Sequence, residues 1–366
     1  MRRRNNIPLL LVFLVTISLL ATGQSGAGSP SGQTPPANAP ADPASAVKPQ
    51  ARPAPPQDSA VPPANSSGQA GTPNVPQSPD TSESGVFVFR KQVEEVVLHA
   101  TVIDDKQRIV TNLERTAFTV YEDGRPQTIT SFRHEDIPVA MGIVVDNSGS
   151  MREKRQKVNA AALNLVRSSN PNDEVFIVNF NDEYYLDQDF TSNINKLKEG
   201  LEKIEARGGT ALYDAVVASA DHLKGAKLDK KVIFVVTDGE DNASTESLEQ
   251  AIRRLQAENG PTVYAIGILG DEEHPKRARR ALQVMSERSG GIAFFPKTLD
   301  EVDAISRTVA HDIRSQYTIG YKPATPKNQG GYRQVKVDAR SHSYGKLTVR
   351  TKSGYYAGPE PTSGAQ

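Results

Sequence analysis

The chain has 366 residues, with 43 Lys plus Arg against 43 Asp plus Glu and no cysteine. The missing cysteines exclude disulfides, thiol catalysis and cysteine-bound zinc. The balanced charge leaves no basic excess to drive counterion release, so nucleic acid is not an expected partner.

Residues 1–23 read as a secretory signal: Arg2, Arg3 and Arg4, an almost wholly apolar run over 7–21, then small Ala21 and Gly23 before Gln24. That run is shorter than the roughly 20 residues a membrane span needs. Cleavage is therefore the expectation, with an uncleaved membrane anchor as the alternative and the one expected route to a membrane. Loss of the three arginines would leave the mature chain slightly acidic. No cysteine follows the run, which excludes a lipid-modified N-terminal Cys. An exported chain without disulfides fits a bacterial envelope, with periplasm, cell surface and medium all open.

Residues 24–85 consist largely of Pro, Ala, Ser, Gly and Gln. Such a segment cannot bury enough apolar surface to offset its ordering entropy, so it is expected to be disordered. Its prolines favour an extended spacer. A tether holding the folded part away from a membrane or wall and a passive leader are both consistent with it.

Residues 86–136 alternate apolar and polar side chains, as in Val96-Val97-Leu98-His99-Ala100-Thr101-Val102, with turns at Asp104-Asp105 and Glu122-Asp123-Gly124. Residues 317–358 do the same in Tyr317-Thr318-Ile319-Gly320-Tyr321 and Gln334-Val335-Lys336-Val337. Each flank has too few strands to bury its own faces. The two are therefore expected to pair into one small β-sandwich, followed by a disordered tail over 359–366.

Between the flanks, 137–316 alternates apolar runs with helical patterns, which predicts a doubly wound, mostly parallel sheet with helices on both faces. Predicted strands are 139–146, 174–179, 232–237, 262–267 and 292–295, and predicted helices are 153–168, 194–204, 212–223, 247–258, 276–289 and 300–314. Val158, Ala161, Ala162, Leu165 and Val166 recur at three- and four-residue spacing, the core stripe of an amphipathic helix. Thr298 three residues before Glu301 is a helix-start pattern. The basic run Lys276-Arg277-Ala278-Arg279-Arg280 reads as a solvated helix face.

Five oxygen-bearing side chains stand at strand ends or glycine turns. Asp146, Ser148 and Ser150 follow the apolar run 139–145, Thr210 follows Gly208-Gly209, and Asp238 closes the run 232–237. Open α/β sheets bind ligands at such strand ends. Hydroxyls, carboxylates and water suit a hard divalent cation, Mg²⁺ first, with Mn²⁺ or Ca²⁺ as alternatives. Alone, Asp-x-Ser-x-Ser is also a common turn or helix cap, and Ser150 is placed to cap the next helix. Gly149 is expected to lend its loop backbone freedom, and Gly208 and Gly209 to let the Thr210 loop approach. Asp214 reads equally as a support of the site or as a solvated or capping residue. Glu240, Asp241 and Asn242 form a hydrophilic rim.

The six histidines form no recognised pair, and the strand ends carry no G-x-S-x-G elbow, phosphate-binding loop or dinucleotide fingerprint. The sequence points away from an enzyme.

With Asp146-x-Ser148-x-Ser150, the distant Thr210 and Asp238-Gly239, the chain resembles von Willebrand factor type A domains and their metal-ion-dependent adhesion site. The flanks resemble those of bacterial exported proteins carrying a variant of that domain. The resemblance implies a Rossmann-like α/β fold, with Asp146, Ser148, Ser150, Thr210 and Asp238 as the metal set. It further implies that one coordination position is left for an Asp or Glu of a partner protein. In relatives the loop carrying the Thr210 equivalent and the last helix shift together on binding, which here would be 300–314. A purely stabilising metal in a structural envelope protein, or a metal-assisted hydrolase, are the alternatives; the oligomeric state is not legible.

Overall fold

The computed structural model describes residues 95–203, 205–270 and 275–358. The expected signal segment, the tether and the tail lie outside them. The chain enters through three strands of alternating burial, β1 (Val96–Ile103), β2 (Phe118–Glu122) and β3 (Arg125–Arg133). A tight turn joins the last two, with Asp123 and Gly124 both at positive φ (49° and 76°), the geometry that matches strand twist in two-residue hairpins.

There follow β4 (Val139–Asp146), α1 (Arg155–Arg167), β5 (Glu174–Phe180), β6 (Tyr184–Thr191), α2 (Ile194–Glu202) and α3 (Leu212–His222). The chain continues through β7 (Lys230–Thr237), α4 (Leu248–Leu255), β8 (Thr262–Gly267), α5 (Pro275–Ser289), β9 (Ala293–Phe294) and α6 (Glu301–Arg314). It ends in β10 (Tyr317–Lys322), β11 (Gly331–Ala339), β12 (Thr348–Arg350) and β13 (Gly354–Ala357).

β4 to β9 form a six-stranded sheet in the order β6-β5-β4-β7-β8-β9. All pairs are parallel except β5 with β6. Every residue of β4 is buried, as a strand covered on both faces requires. Val158, Leu165, Leu197, Leu201, Val302 and Ile313 of α1, α2 and α6 pack on one face. Leu212, Val216, Ala251, Leu255, Leu282 and Met285 of α3, α4 and α5 pack on the other. The exposed arginines of α5 fit the solvated-face reading, with Ala278 the buried member of that run.

β6 was not foreseen. Asp187 and Asp189 interrupt its apolar pattern, and it reverses on β5 through the turn Asn181-Asp182-Glu183, where the Asn181 N–H donates to the Glu183 carbonyl at 2.8 Å. As the edge strand it carries charge and two register shifts, both of which discourage pairing with another chain. The start of α6 also differs. Its N-cap is Asp300, and the Glu301 carboxylate accepts from the Lys297 N–H at 3.0 Å.

The two flanks meet in one seven-stranded antiparallel sheet, ordered β12-β1-β10-β3-β2-β11-β13. Leu98, Val102, Phe118, Val120, Tyr317, Tyr321, Val337 and Tyr355 share a single core, so the sheet curls around its own apolar face. β3 and β10, where the chain leaves this sheet and returns to it, are neighbours through Arg133↔Thr318. Arg314 at the end of α6 ties both connections together. It donates to Asp136 at 2.7 Å and to Asp173 at 3.0 Å, and Asp173 in turn accepts the first N–H of β4 at 2.8 Å. Among the described residues no helix is long and apolar enough to cross a membrane.

Because β10 lies between β1 and β3 while β2 pairs with β11, neither flank holds a complete sheet. Peptides 95–136 and 317–358 should therefore each lack a cooperative unfolding transition by circular dichroism. A cooperative transition in either alone would contradict the shared sheet.

Candidate metal centre

β4 and β7 are adjacent, and the chain runs outward from them in opposite directions, so their C-terminal ends form the switch point of the sheet. Asp146 ends β4 and Asp238 follows β7, and both side chains are wholly buried. Their oxygens are held in detail. One Asp146 oxygen accepts the Ser148 N–H at 2.7 Å, and the other accepts the Thr237 hydroxyl at 2.5 Å. The Ser150 hydroxyl donates to Asp238 Oδ1 at 2.8 Å, and Ser148 Oγ lies 3.1 Å from Ser150 Oγ. The Lys154 ammonium contacts the other oxygen of Asp238.

Three loops are joined at this point. The Gly149 N–H donates to the Gly208 carbonyl at 3.2 Å, and Arg207 N–H to the Asn147 carbonyl at 2.8 Å. Thr210, itself buried, donates its N–H to Asn242 Oδ1 at 2.8 Å and accepts from the Asn242 N–H at 3.0 Å. Asn147 crosses to β5, its side-chain amide donating to Asn179 at 2.9 Å. Gly208 adopts φ +74°, and a Cβ there would lie 1.9 Å from the Asp182 carboxylate that accepts the Gly209 N–H. A side chain at Gly208 would be strained by the backbone and would displace the exposed Asp182 carboxylate.

Several neighbours resolve differently from the sequence reading. Ser150 sits in a short 3-10 turn and α1 starts at Arg155, so Ser150 does not cap the helix and its hydroxyl turns to Asp238. Asp214 holds the 245–246 backbone, accepting the Glu246 N–H at 2.8 Å, and is a loop anchor. Of the hydrophilic rim, Asn242 grips Thr210 and Asp241 accepts the Tyr213 N–H at 2.9 Å. Sequence reasoning missed Lys154 and Thr237. The first is one polar residue among many ahead of α1, and the second reads as a strand residue. His222 does have a carboxylate partner, Asp189 at 2.8 Å, and it stacks on Phe190 at the sheet edge.

The electrostatics follow from burial. Desolvation pushes the Asp146 carboxyl up to about 6, and the charge of Asp238 adds to the rise, while the Thr237 and Ser148 hydrogen bonds oppose it. Arg155 attracts Asp146 from nearby, although its guanidinium donates to the carbonyls of Asp146 and Leu201. Among the described residues no group of three or more His, Cys, Asp or Glu side chains is placed to hold a metal. An ion at this point would depend on hydroxyls. The spacing suits one: neighbouring ligands of an octahedron with 2.0–2.1 Å bonds stand about 2.9 Å apart. The observed separations are 3.1 Å for Ser148–Ser150 and 2.8 Å for Ser150–Asp238. Gly149 and Ser150 are exposed, so the cluster opens to solvent beside them.

Residues 141–240 match the family model for the von Willebrand factor type A domain. A curated relative is inter-alpha-trypsin inhibitor heavy chain H4 of Bos taurus, 24% identical over 233 residues. That match takes in 60% of this chain and 23% of the relative, so the chain spans about a quarter of that protein. Among solved structures, a von Willebrand factor type A protein from Catenulispora acidiphila is 14% identical with a TM-score of 0.43, covering 74% of each chain. An aerotolerance-related membrane protein from Bacteroides fragilis is 20% identical with a TM-score of 0.40, covering 48% of this chain and 98% of its own.

The raised Asp146 pKa has a sign. In metal-free protein the folded state holds this proton more tightly than the unfolded state. Its stabilising contribution is therefore complete below about pH 4, falls as pH rises toward 6 and stays lost above it. Relative to Asp146→Asn, wild type in EDTA should lose about 2 kcal/mol between pH 4 and pH 7 in urea unfolding. An equal gap at both pH values would contradict the burial argument.

Proposed function

From the match of residues 141–240 to the von Willebrand factor type A domain model, we propose an exported, divalent-metal-dependent protein-binding module. Asp146, Ser148, Ser150, Thr210 and Asp238 would hold the ion. The observation that carries this reading is the spacing of Ser148 Oγ, Ser150 Oγ and Asp238 Oδ1 at octahedral-edge distances beside an exposed mouth. Mg²⁺ bound there would supply positive charge and a coordination position open to an Asp or Glu of a partner protein.

The chain's own groups set how strongly such an anion is wanted. Ser148, Ser150 and Thr210 offer neutral hydroxyls, so only Asp146 and Asp238 bring negative charge. Thr237 and the Ser148 N–H fix the orientation of Asp146, and neither oxygen is free to swing into the mouth. Lys154 neutralises part of Asp238 and competes for the same carboxylate. In this cluster the carboxylate that accepts a serine hydroxyl, Asp238, is wholly buried and paired with Lys154, so the reading is of a binder without catalysis. Export is supported by the signal-like pattern of residues 1–23.

The test is capture of protein from an envelope extract by the immobilised chain. Mg²⁺ should permit retention of a specific protein, and EDTA or Ser148→Ala should reduce it at least tenfold while the fold is kept. Capture that is indifferent to both would leave a structural metal, or none. Phosphoesterase activity lost with Ser148→Ala would favour hydrolysis. Lys154→Met should raise Mg²⁺ affinity about tenfold or more, because a charge a few ångströms from the ion is removed. Unchanged or weaker binding would contradict the competition.

A further inference from the structure

At the opposite end of the α/β sheet from the candidate metal centre lies a second cleft. It is enclosed between the N-terminal ends of β7 and β8 and the outer face of β1 and β10. Its volume is about 320 Å³, at the lower end of the range for small-molecule sites. The alternation of β1 explains its wall. Leu98 and Ala100 point into the core of the curled sheet, so Val97 and His99 must point out of it, toward the α/β domain. His99 lies opposite Thr318 in the β1–β10 register, with Thr318 Oγ1 3.3 Å from His99 Nδ1.

The cleft is lined by both cations and acids, with Arg133 exposed at its rim. Lys352 is 8% exposed, and its ammonium donates to the neutral Glu258 carbonyl at 2.8 Å. The Glu258 carboxylate is engaged by a different residue, Lys327. Lys231 reaches the same cleft half-buried. The acids Glu135 and Asp229 stand at the exposed rim. A buried ammonium has three donors, and a single carbonyl leaves most of that capacity unused, with the Glu258 carboxylate, already held by Lys327, attracting it from nearby.

We propose that this cleft binds a small organic anion, whose carboxylate or phosphate oxygens meet Lys352 and Lys231 beside His99 and Thr318. The ionisation pattern agrees. Burial, helped by the neighbouring charges of Lys230 and Lys352, drives the His99 imidazole down to about 3, so it meets the ligand as a neutral donor or acceptor. Burial likewise lowers the Lys352 ammonium to about 8, against the attraction of Glu258. The bound anion would touch both the inserted domain and the sheet that holds it, and would strengthen that junction. This site is independent of the metal reading.

The test is thermal unfolding of the full chain at matched ionic strength. One arm uses succinate and glutamate, and the other inorganic phosphate and glycerol 3-phosphate. At about five times its Kd the binding arm should raise Tm by about 2–4 °C, and the rise should continue with the logarithm of ligand concentration. Lys352→Met, which keeps most of the stem and removes the charge, should abolish the rise. Should that variant not fold, Lys231→Met should weaken the response at least tenfold. Lys336→Met, an exposed lysine on β11, should behave as wild type. A rise in neither arm beyond that given by NaCl, or a rise unchanged in both cleft variants, overturns the proposal.

Discussion

Two carboxylates buried side by side at the ends of adjacent parallel strands set the terms for the rest of the domain. Asp146 and Asp238 have no exposed surface, and burying like charges together costs free energy unless cations or donors answer them. The chain answers in parts. A hydroxyl and a backbone N–H hold Asp146, another hydroxyl and an ammonium hold Asp238, and Arg155 adds attraction from nearby. Those donors come from β7, from the turn between β4 and α1, and from the first residue of α1. The Thr210 loop is laced to the same point by backbone hydrogen bonds. The geometry of all three loops follows from the need to satisfy two acids at the switch point of the sheet.

The far end of the domain is fixed as firmly. Arg314 closes α6 against the entry connection and the start of β5, and Asp312 two residues earlier is the hub of a buried network. It accepts from Tyr264 of β8 at 2.5 Å and from Arg350 of β12 at 2.6 Å, while Gln316 links Tyr264 to Thr101 of β1. Because α6 runs directly into β10, a displacement of α6 would load this network and the curled sheet together. The anion cleft lies at the same junction, so both ends of the α/β sheet abut a charged site.

Much of this was legible in the sequence, for a physical reason. Strands buried on both faces must be continuously apolar, so β4 and β8 are readable to the residue. Amphipathic helices declare one face, as Val158, Ala162 and Leu165 do. The five candidate ligands stand out because each breaks an apolar run or follows a glycine turn. What stayed hidden depends on partners distant in the chain. β6 carries an edge strand's charges, and the role of Ser150 was set by Asp238, 88 residues away, in place of the nearer helix. Lys154 and Lys352 look like any surface lysine until the fold buries one against Asp238 and the other under β1. The pairing of the flanks was inferable from their shortage of strands, but the curl of a single sheet depends on twist and core shape.

The central claim is that Ser148, Ser150 and Asp238, with Asp146 and Thr210, form a divalent-cation site that relies on hydroxyls. Calorimetric titration of the EDTA-stripped chain with Mg²⁺ and Mn²⁺ tests it most directly. The account predicts a single site, weakened at least a hundredfold when Ser148 and Ser150 are both replaced by alanine while the variant keeps the wild-type circular dichroism spectrum and a single cooperative urea transition. Absence of binding in the wild type, or binding untouched by the double replacement, would contradict it.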